Sequence, residues 1–147
     1  MTATGTWPAR WRRAIQVVAG ASRAWRVLLT LLVLAVSVLA LTPQPPPAID
    51  LGWDKLNHLM AFASLAFAAS LGRPLPLRSR LLWLGGLLAY GALVEILQQF
   101  VPGRSAEWGD LFADALGISL GAALAGMVLK SANAAAWREP SNSANRP

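Results

Sequence analysis

The chain has 147 residues, of which 55% are hydrophobic and only 14% charged, with a net charge of +6 and a mean hydropathy of +0.46. Typical soluble domains carry about 25% charged residues, so a disordered or solvated polar chain is excluded. There is no cysteine, which removes disulfides, thiolate metal sites and cysteine nucleophiles.

Residues 1–26 form a basic leader in which Trp7, Trp11, Ile15, Val17 and Val18 stand among Arg10, Arg12, Arg13, Arg23 and Arg26. Such a segment is expected to lie amphipathically on the cytoplasmic membrane surface. Four apolar segments follow, at residues 27–42, 56–71, 81–101 and 111–129. None alternates with the period of a strand. Each is apolar on every face, which in water would demand a much larger surrounding protein. The third and fourth meet the roughly 17–25 residues needed to span hydrocarbon. The first two have uncharged runs of about 16 residues, slightly short on that criterion, and are extended by Trp25 and by the residues around Trp53. Val38-Leu39-Ala40 has the small residues of a signal cleavage site. The apolar run before it exceeds the usual length of about 7–15 residues, and it begins only after a long basic leader.

The segments are joined by Thr42-Pro43-Gln44-Pro45-Pro46-Pro47, a stiff polyproline connector, and by Arg73-Pro74-Leu75-Pro76, since proline fixes φ and removes the backbone donor. Residues 131–147 are rich in Ala, Asn and Ser and read as a flexible cytoplasmic tail. The expected fold is all-α: a polytopic transmembrane bundle of four helices over residues 27–130, with cytoplasmic N- and C-termini.

Orientation follows from Lys and Arg near the segment ends. Basic residues are dense before the first segment, in Arg73, Arg78 and Arg80, and in Lys130, Arg138 and Arg146; the other two connections hold only Lys55 and Arg104. Eleven of the 13 basic residues therefore fall on the expected inner side, where Glu139 is the one acid. The outer portion sets Lys55 and Arg104 against Asp50, Asp54, Glu95, Glu107, Asp110 and Asp114. The overall positive charge conceals a dipolar chain, whose basic excess serves orientation and contact with anionic lipid rather than nucleic acid. Trp25, Trp53, Trp83 and Trp108 lie near the expected boundaries, as interfacial Trp do. The expected setting is the bacterial cytoplasmic (inner) membrane, crossed several times.

Ionisable groups within or near the last three segments carry the chemistry. At 1.5 Å per residue, His58 lies about 6 Å below Asp54, and Glu95 roughly 9 Å before the end of its segment at Val101. Asp114 lies one turn below Asp110. With the segments alternating in direction, all three bring these groups to one level, just beneath the outer surface. The pairs Asp54/His58, Glu95/Gln99 and Asp110/Asp114, four apart, and Glu95/Gln98, three apart, each share a helix face. Charges at the bilayer centre cost about 2.5–3.5 kcal/mol each on insertion scales, so these groups are expected to face partners. Arg104 is expected to pair with Glu95 or Asp114, with His58 in the same cluster.

Asp54-Lys55-x-x-His58-x-x-x-Phe62, then Glu95-x-x-Gln98, then Arg104 followed by Asp110-x-x-x-Asp114-x-x-Gly117, resembles the VanZ-like family, over a region of about residues 50–126. That family is named for a protein associated with teicoplanin (glycopeptide) resistance. One departure is Asp114, where the family pattern has Asn; an acid there adds a charge or holds a proton. The resemblance implies a polytopic bacterial envelope protein.

The residues taken together as a ligand-binding cluster are Asp54, Lys55, His58, Glu95, Gln98, Arg104, Asp110 and Asp114. In the principal reading they recognise or modify an envelope or glycopeptide-related ligand at the outer face, with Arg104 on a phosphate or carboxylate. A second reading is a membrane enzyme acting on a lipid or lipid-linked precursor headgroup, with His58, Glu95 or Asp114 as general acid or base. A third is a structural role without a ligand, in which the polar groups fix helix register. Metal coordination by Asp54, His58, Glu95 and Asp114 is the weakest version, because one histidine with scattered carboxylates is not diagnostic; neither metal nor cofactor is expected. In the last segment, Gly117, Ser119, Gly121, Ala122, Ala125 and Gly126 form a small-residue face suited to packing within the bundle or to a homo-oligomer.

Overall fold

The computed structural model describes residues 9–43, 53–73 and 75–136. The described residues form five helices and no strand: α1 Ala9–Gly20, α2 Ser22–Ala40, α3 Asp54–Gly72, α4 Leu77–Gln98 and α5 Trp108–Ala136. The leader is thus helical in part. Its helix is separated from α2 by a single residue, Ala21, whose ψ of 44° leaves the helical region. Trp25 spans this break by donating its indole N–H to the Val18 carbonyl at 2.8 Å. At the other end, α5 runs past the expected boundary at residue 129 to Ala136, so the first residues of the expected tail are helical. The polyproline connector beyond Pro43, Pro74, and the tail from residue 137 lie outside the described residues.

Three helices, α2, α4 and α5, are long and apolar enough to cross a membrane. The fourth expected span, α3, is also 19 residues long but misses that criterion, because Asp54, Lys55, Asn57 and His58 crowd its first turns. Its place in the bundle supplies the physical reason. α3 is the most enclosed helix, with Phe62, Leu65, Ala66 and Leu71 at 1% exposure or less. A helix walled by other helices does not need a lipid-facing apolar surface all round.

Helices α3 and α5 run parallel in direct contact. Lys55 lies beside Gly109, Leu59 and Ala63 beside Gly117, and Ala63 and Phe67 beside Gly121. A Cβ at Gly117 would strike the Leu59 carbonyl, and one at Gly121 the Ala63 carbonyl. The small residues of α5 let two backbones meet, as in close-packed membrane helices. This places Gly117 and Gly121 in an internal seam; of the expected oligomer face, Ser119 remains exposed and Gly126 has open space above it. α2 runs antiparallel to α3, with Trp25 and Arg26 against Gly72. α4 runs parallel to α2, since Tyr90 meets Ser37 and Gln98 meets Ala40. The core gathers Phe62, Leu65, Ala66 and Ala69 of α3 with Leu87 of α4 and Ile118 of α5, flanked by Leu29, Leu32, Val33 and Val36 of α2.

The outer faces are apolar. Leu31, Leu34 and Val38 of α2, Leu82, Leu93 and Ile96 of α4, and Phe112, Leu116, Leu120 and Leu124 of α5 are all exposed. Soluble monomers rarely present contiguous apolar surface on this scale, and lipid is the solvent that suits it. The two ends differ in charge. Arg23, Arg26, Arg73, Arg78, Arg80 and Lys130 occupy one end, where the Arg73 guanidinium lies 5.3 Å from the Trp83 ring centre. The other end holds the acids and the exposed aromatics Trp53, Phe100 and Trp108.

Candidate functional site

The polar end is built where α3 and α5 begin and α2 and α4 finish. His58, one turn into α3, is 8% exposed and lies between acids of two other helices. Its Nδ1 is 2.9 Å from Asp114 Oδ1 on α5, and its Nε2 is 3.5 Å from Glu95 Oε1 on α4. A carboxylate only accepts hydrogen bonds, so Nδ1–H donates to Asp114 and this bond fixes the ring. Asp114 is fully buried. The space for it comes from Gly91 on α4, where a Cβ would collide with Asp114 Oδ2.

Asp110, one turn above Asp114, is 1% exposed. Lys55 Nζ lies 3.7 Å from its Oδ1 and 2.6 Å from Glu107 Oε2. The lysine ammonium holds the exposed Glu107 carboxyl below the ordinary glutamate range. Glu95 serves a second purpose through Oε2, which accepts the backbone N–H of Glu107 at 3.1 Å. That bond fastens the segment entering α5 to α4. Glu107 was the signal most easily passed over in the sequence, since a loop glutamate outside the helices announces nothing about a backbone contact.

Arg104 differs from its expected pairing with Glu95 or Asp114. Its guanidinium reaches the end of α2, donating from Nη2 to the Leu39 carbonyl at 3.2 Å and from Nε to the Thr42 carbonyl at 3.4 Å. Its Nη1 is 3.5 Å from Asp54 Oδ1. Gln98 adds a third bond to the same terminus, from Nε2 to the Ala40 carbonyl at 3.1 Å. The reason is electrostatic: the last carbonyls of a helix lack intrahelical partners and carry its partial negative charge. Gln99, expected on the Glu95 face, is exposed beyond the end of α4. The remaining expected residues, Asp54, Lys55, His58, Glu95, Gln98, Arg104, Asp110 and Asp114, come together at this end.

The network is not saturated. Glu95 Oε1, Asp110 Oδ1 and Asp114 Oδ2 are buried without a hydrogen-bond partner among the described residues. Nor is it closed. Asp54, Asn57, His58, Gln98 and Arg104 line one end of a cavity of about 490 Å³, whose remaining walls are Leu32, Val36 and Leu39 of α2, Met60, Ala61, Phe62 and Ser64 of α3, and Val94 of α4. A smaller cavity of about 200 Å³ on the far side reaches Glu95, Glu107 and Trp108. Sequence reasoning misses the larger cavity's α2 wall, because α2 contributes only apolar side chains and backbone carbonyls.

A family model described as VanZ/LLP1 matches residues 15–129, well over half of the chain. The chain belongs to the VanZ/LLP1 family. The matched region begins inside α1 and ends inside α5, so it takes in all of α2, α3 and α4 with most of α5 and extends beyond the motif-bearing half. No match is found among curated proteins or solved structures. The VanZ-like motif residues are the ones that meet at the polar end. Asp114 fits there in place of the expected Asn: its Oδ1 accepts from His58, a role that an amide oxygen also performs, while its Oδ2 lies beside Gly91.

Proposed function

We propose that this VanZ-like membrane protein recognises an amphipathic molecule of the bacterial envelope, a lipid-linked cell-wall precursor or a lipid-tailed glycopeptide such as teicoplanin, and contributes to glycopeptide resistance in that way. The carrying observation is the shape and chemistry of the larger cavity. One end presents Asp54, His58, Gln98 and Arg104, and the rest is apolar wall from α2 and α3. Binding sites of this kind use apolar lining for affinity and a few polar groups for orientation. The headgroup lies at the polar end and the chain runs along Leu32, Val36 and Ala61. The positive-inside rule supports the bacterial inner membrane as its setting, with the basic end cytoplasmic and the polar end outside.

The test fills the groove without touching the polar cluster. Ala61→Trp is expected to remove co-purified lipid or precursor from the detergent-extracted protein, read by native mass spectrometry, and to abolish any change in teicoplanin susceptibility at unchanged membrane levels. Unaltered lipid retention in Ala61→Trp would count against the reading.

One observation favours a second reading. The Asp114–His58 pair fixes an imidazole that lines the same cavity, the arrangement of a general base. An enzyme acting on the bound headgroup predicts altered lipid or muropeptide profiles in His58→Gln relative to wild type. Identical profiles reject catalysis and leave recognition.

A further inference from the structure

The unsatisfied carboxylates at the polar end point to an ion. We propose that Asp54, His58 and Asp110 bind one divalent transition-metal ion of the zinc type at the polar end of the groove, whose lining includes Asp54 and His58. Each of the three offers one ligand atom, and these atoms all lie within 4.8 Å of one another. The set differs from the one the spacing suggests, with Asp110 taking the place of Glu95 and Asp114. An imidazole with carboxylates is a donor set that zinc accepts.

Three further observations support an ion rather than a chance cluster of acids. First, the Asp110 side chain is 2% exposed, and its Oδ1 is buried without a hydrogen-bond partner among the described residues. Lys55, at 3.7 Å, is too far to supply one. Second, Asp114 holds His58 through Nδ1, which leaves Nε2 as the nitrogen with a free lone pair. A carboxylate that orients the distal nitrogen of a ligating histidine is the usual outer-shell arrangement of a metal site. Glu95 Oε1, 3.5 Å from Nε2 and also without a partner, is an additional oxygen within reach.

Third, many carboxyl groups share few cations. The carboxylates of Asp54, Glu95, Glu107, Asp110 and Asp114 face two fixed cations, Lys55 and Arg104. Lys55 lies closest to Glu107 and only 3.7 Å from Asp110, and Arg104 divides itself between Asp54 and two backbone carbonyls. Ionised carboxylates are costly to bury without a counter-charge, and a divalent cation supplies one.

The chain contains a single histidine, which makes the test unambiguous. Tag-free, full-length protein in lipid nanodiscs is titrated with zinc by calorimetry, and bound metal is measured after dialysis. One zinc per chain is expected. His58→Ala and Asp110→Asn are expected to lower affinity by more than about 10–100-fold, the scale on which loss of an outer-shell partner alone is felt, whereas Gln99→Ala and the groove-filling Ala61→Trp bind as wild type. Because the two ligand variants can also disturb folding, the decisive measurement is on the unaltered protein. Copper(II), used as a paramagnetic substitute, is expected to show one imidazole nitrogen by pulsed electron paramagnetic resonance and, as the tighter binder at an N/O site, to displace bound zinc. Absence of saturable zinc uptake by folded wild type, or bound copper without an imidazole nitrogen, overturns the proposal. Undiminished zinc binding by His58→Ala does so equally. Lost lipid retention with intact zinc binding in Ala61→Trp separates ion binding from occupancy of the apolar part of the groove.

Discussion

The seam between α3 and α5 allows a comparison on one helix between two chemically identical substitutions. In Gly121→Ala the new methyl group meets the Ala63 carbonyl, with the Ala63 carbon at 2.9 Å and the Phe67 nitrogen at 3.0 Å. All of these are backbone atoms, so no side chain can swing aside and α5 must move away from α3. Overpacking of this kind costs about 1–3 kcal/mol. Gly126→Ala, five residues on, meets nothing within 4 Å and gains about 0.8–1 kcal/mol of helix propensity. That propensity gain is common to both variants, so their difference isolates the seam at about 1–3 kcal/mol, roughly a five- to 150-fold ratio of unfolding constants. Reversible unfolding of the two variants in mixed micelles, followed by tryptophan fluorescence, measures it. If Gly121→Ala is as stable as Gly126→Ala, the direct backbone contact of α3 with α5 is wrong.

Three further predictions concern the polar end and its orientation. Gly91→Ala drives a Cβ into Asp114 Oδ2 and against the Phe62 ring, so the single histidine loses its anchor; faster modification by diethyl pyrocarbonate is expected, and an unchanged rate refutes the role given to Gly91. Arg104→Ala strips two hydrogen bonds from the α2 terminus at about 1.5–3 kcal/mol for bonds to a charged group. The Leu41 and Thr42 amides, bonded to Ser37 and Leu39 carbonyls, should then exchange with solvent faster, and equal exchange would show that the cap is dispensable. A cysteine replacing Pro46 or Glu107 should label in intact cells with a membrane-impermeant maleimide, and one replacing Pro76 should not; the reverse pattern inverts the orientation.

Much of the site was legible because hydropathy and charge act over whole segments. Alternating direction alone put His58, Glu95 and Asp114 at one level, and both acids lie within 3.5 Å of the His58 ring nitrogens. The helix of α3 was also legible, although its first turns fall below the hydropathy of a free-standing span. What stayed hidden depends on the backbone. Arg104 turns to the carbonyls of Leu39 and Thr42, which no side-chain pattern displays. Glu95 accepts from the Glu107 amide for the same reason. The break at Ala21 leaves no proline or glycine at the breaking residue itself, and the extension of α5 to Ala136 runs through Ala and Asn that composition alone assigns to a tail.

The enclosure of α3 bears on how the protein is made. Its first turns hold Asp54, Lys55 and His58, and the groups that answer them, Glu107, Asp110 and Asp114, belong to the last third of the chain. Until α4 emerges, α3 has only α2 for company, and until α5 follows, its charged turn meets only Glu95 and Arg104. A ribosome that has not yet delivered α5 leaves a helix that is poor at partitioning into lipid unaided. Delivery of α5, with Asp110 and Asp114, is therefore the event that completes the enclosure of this turn, and products that stop before residue 95 would present it without any of its acidic partners to the quality-control proteases of the membrane.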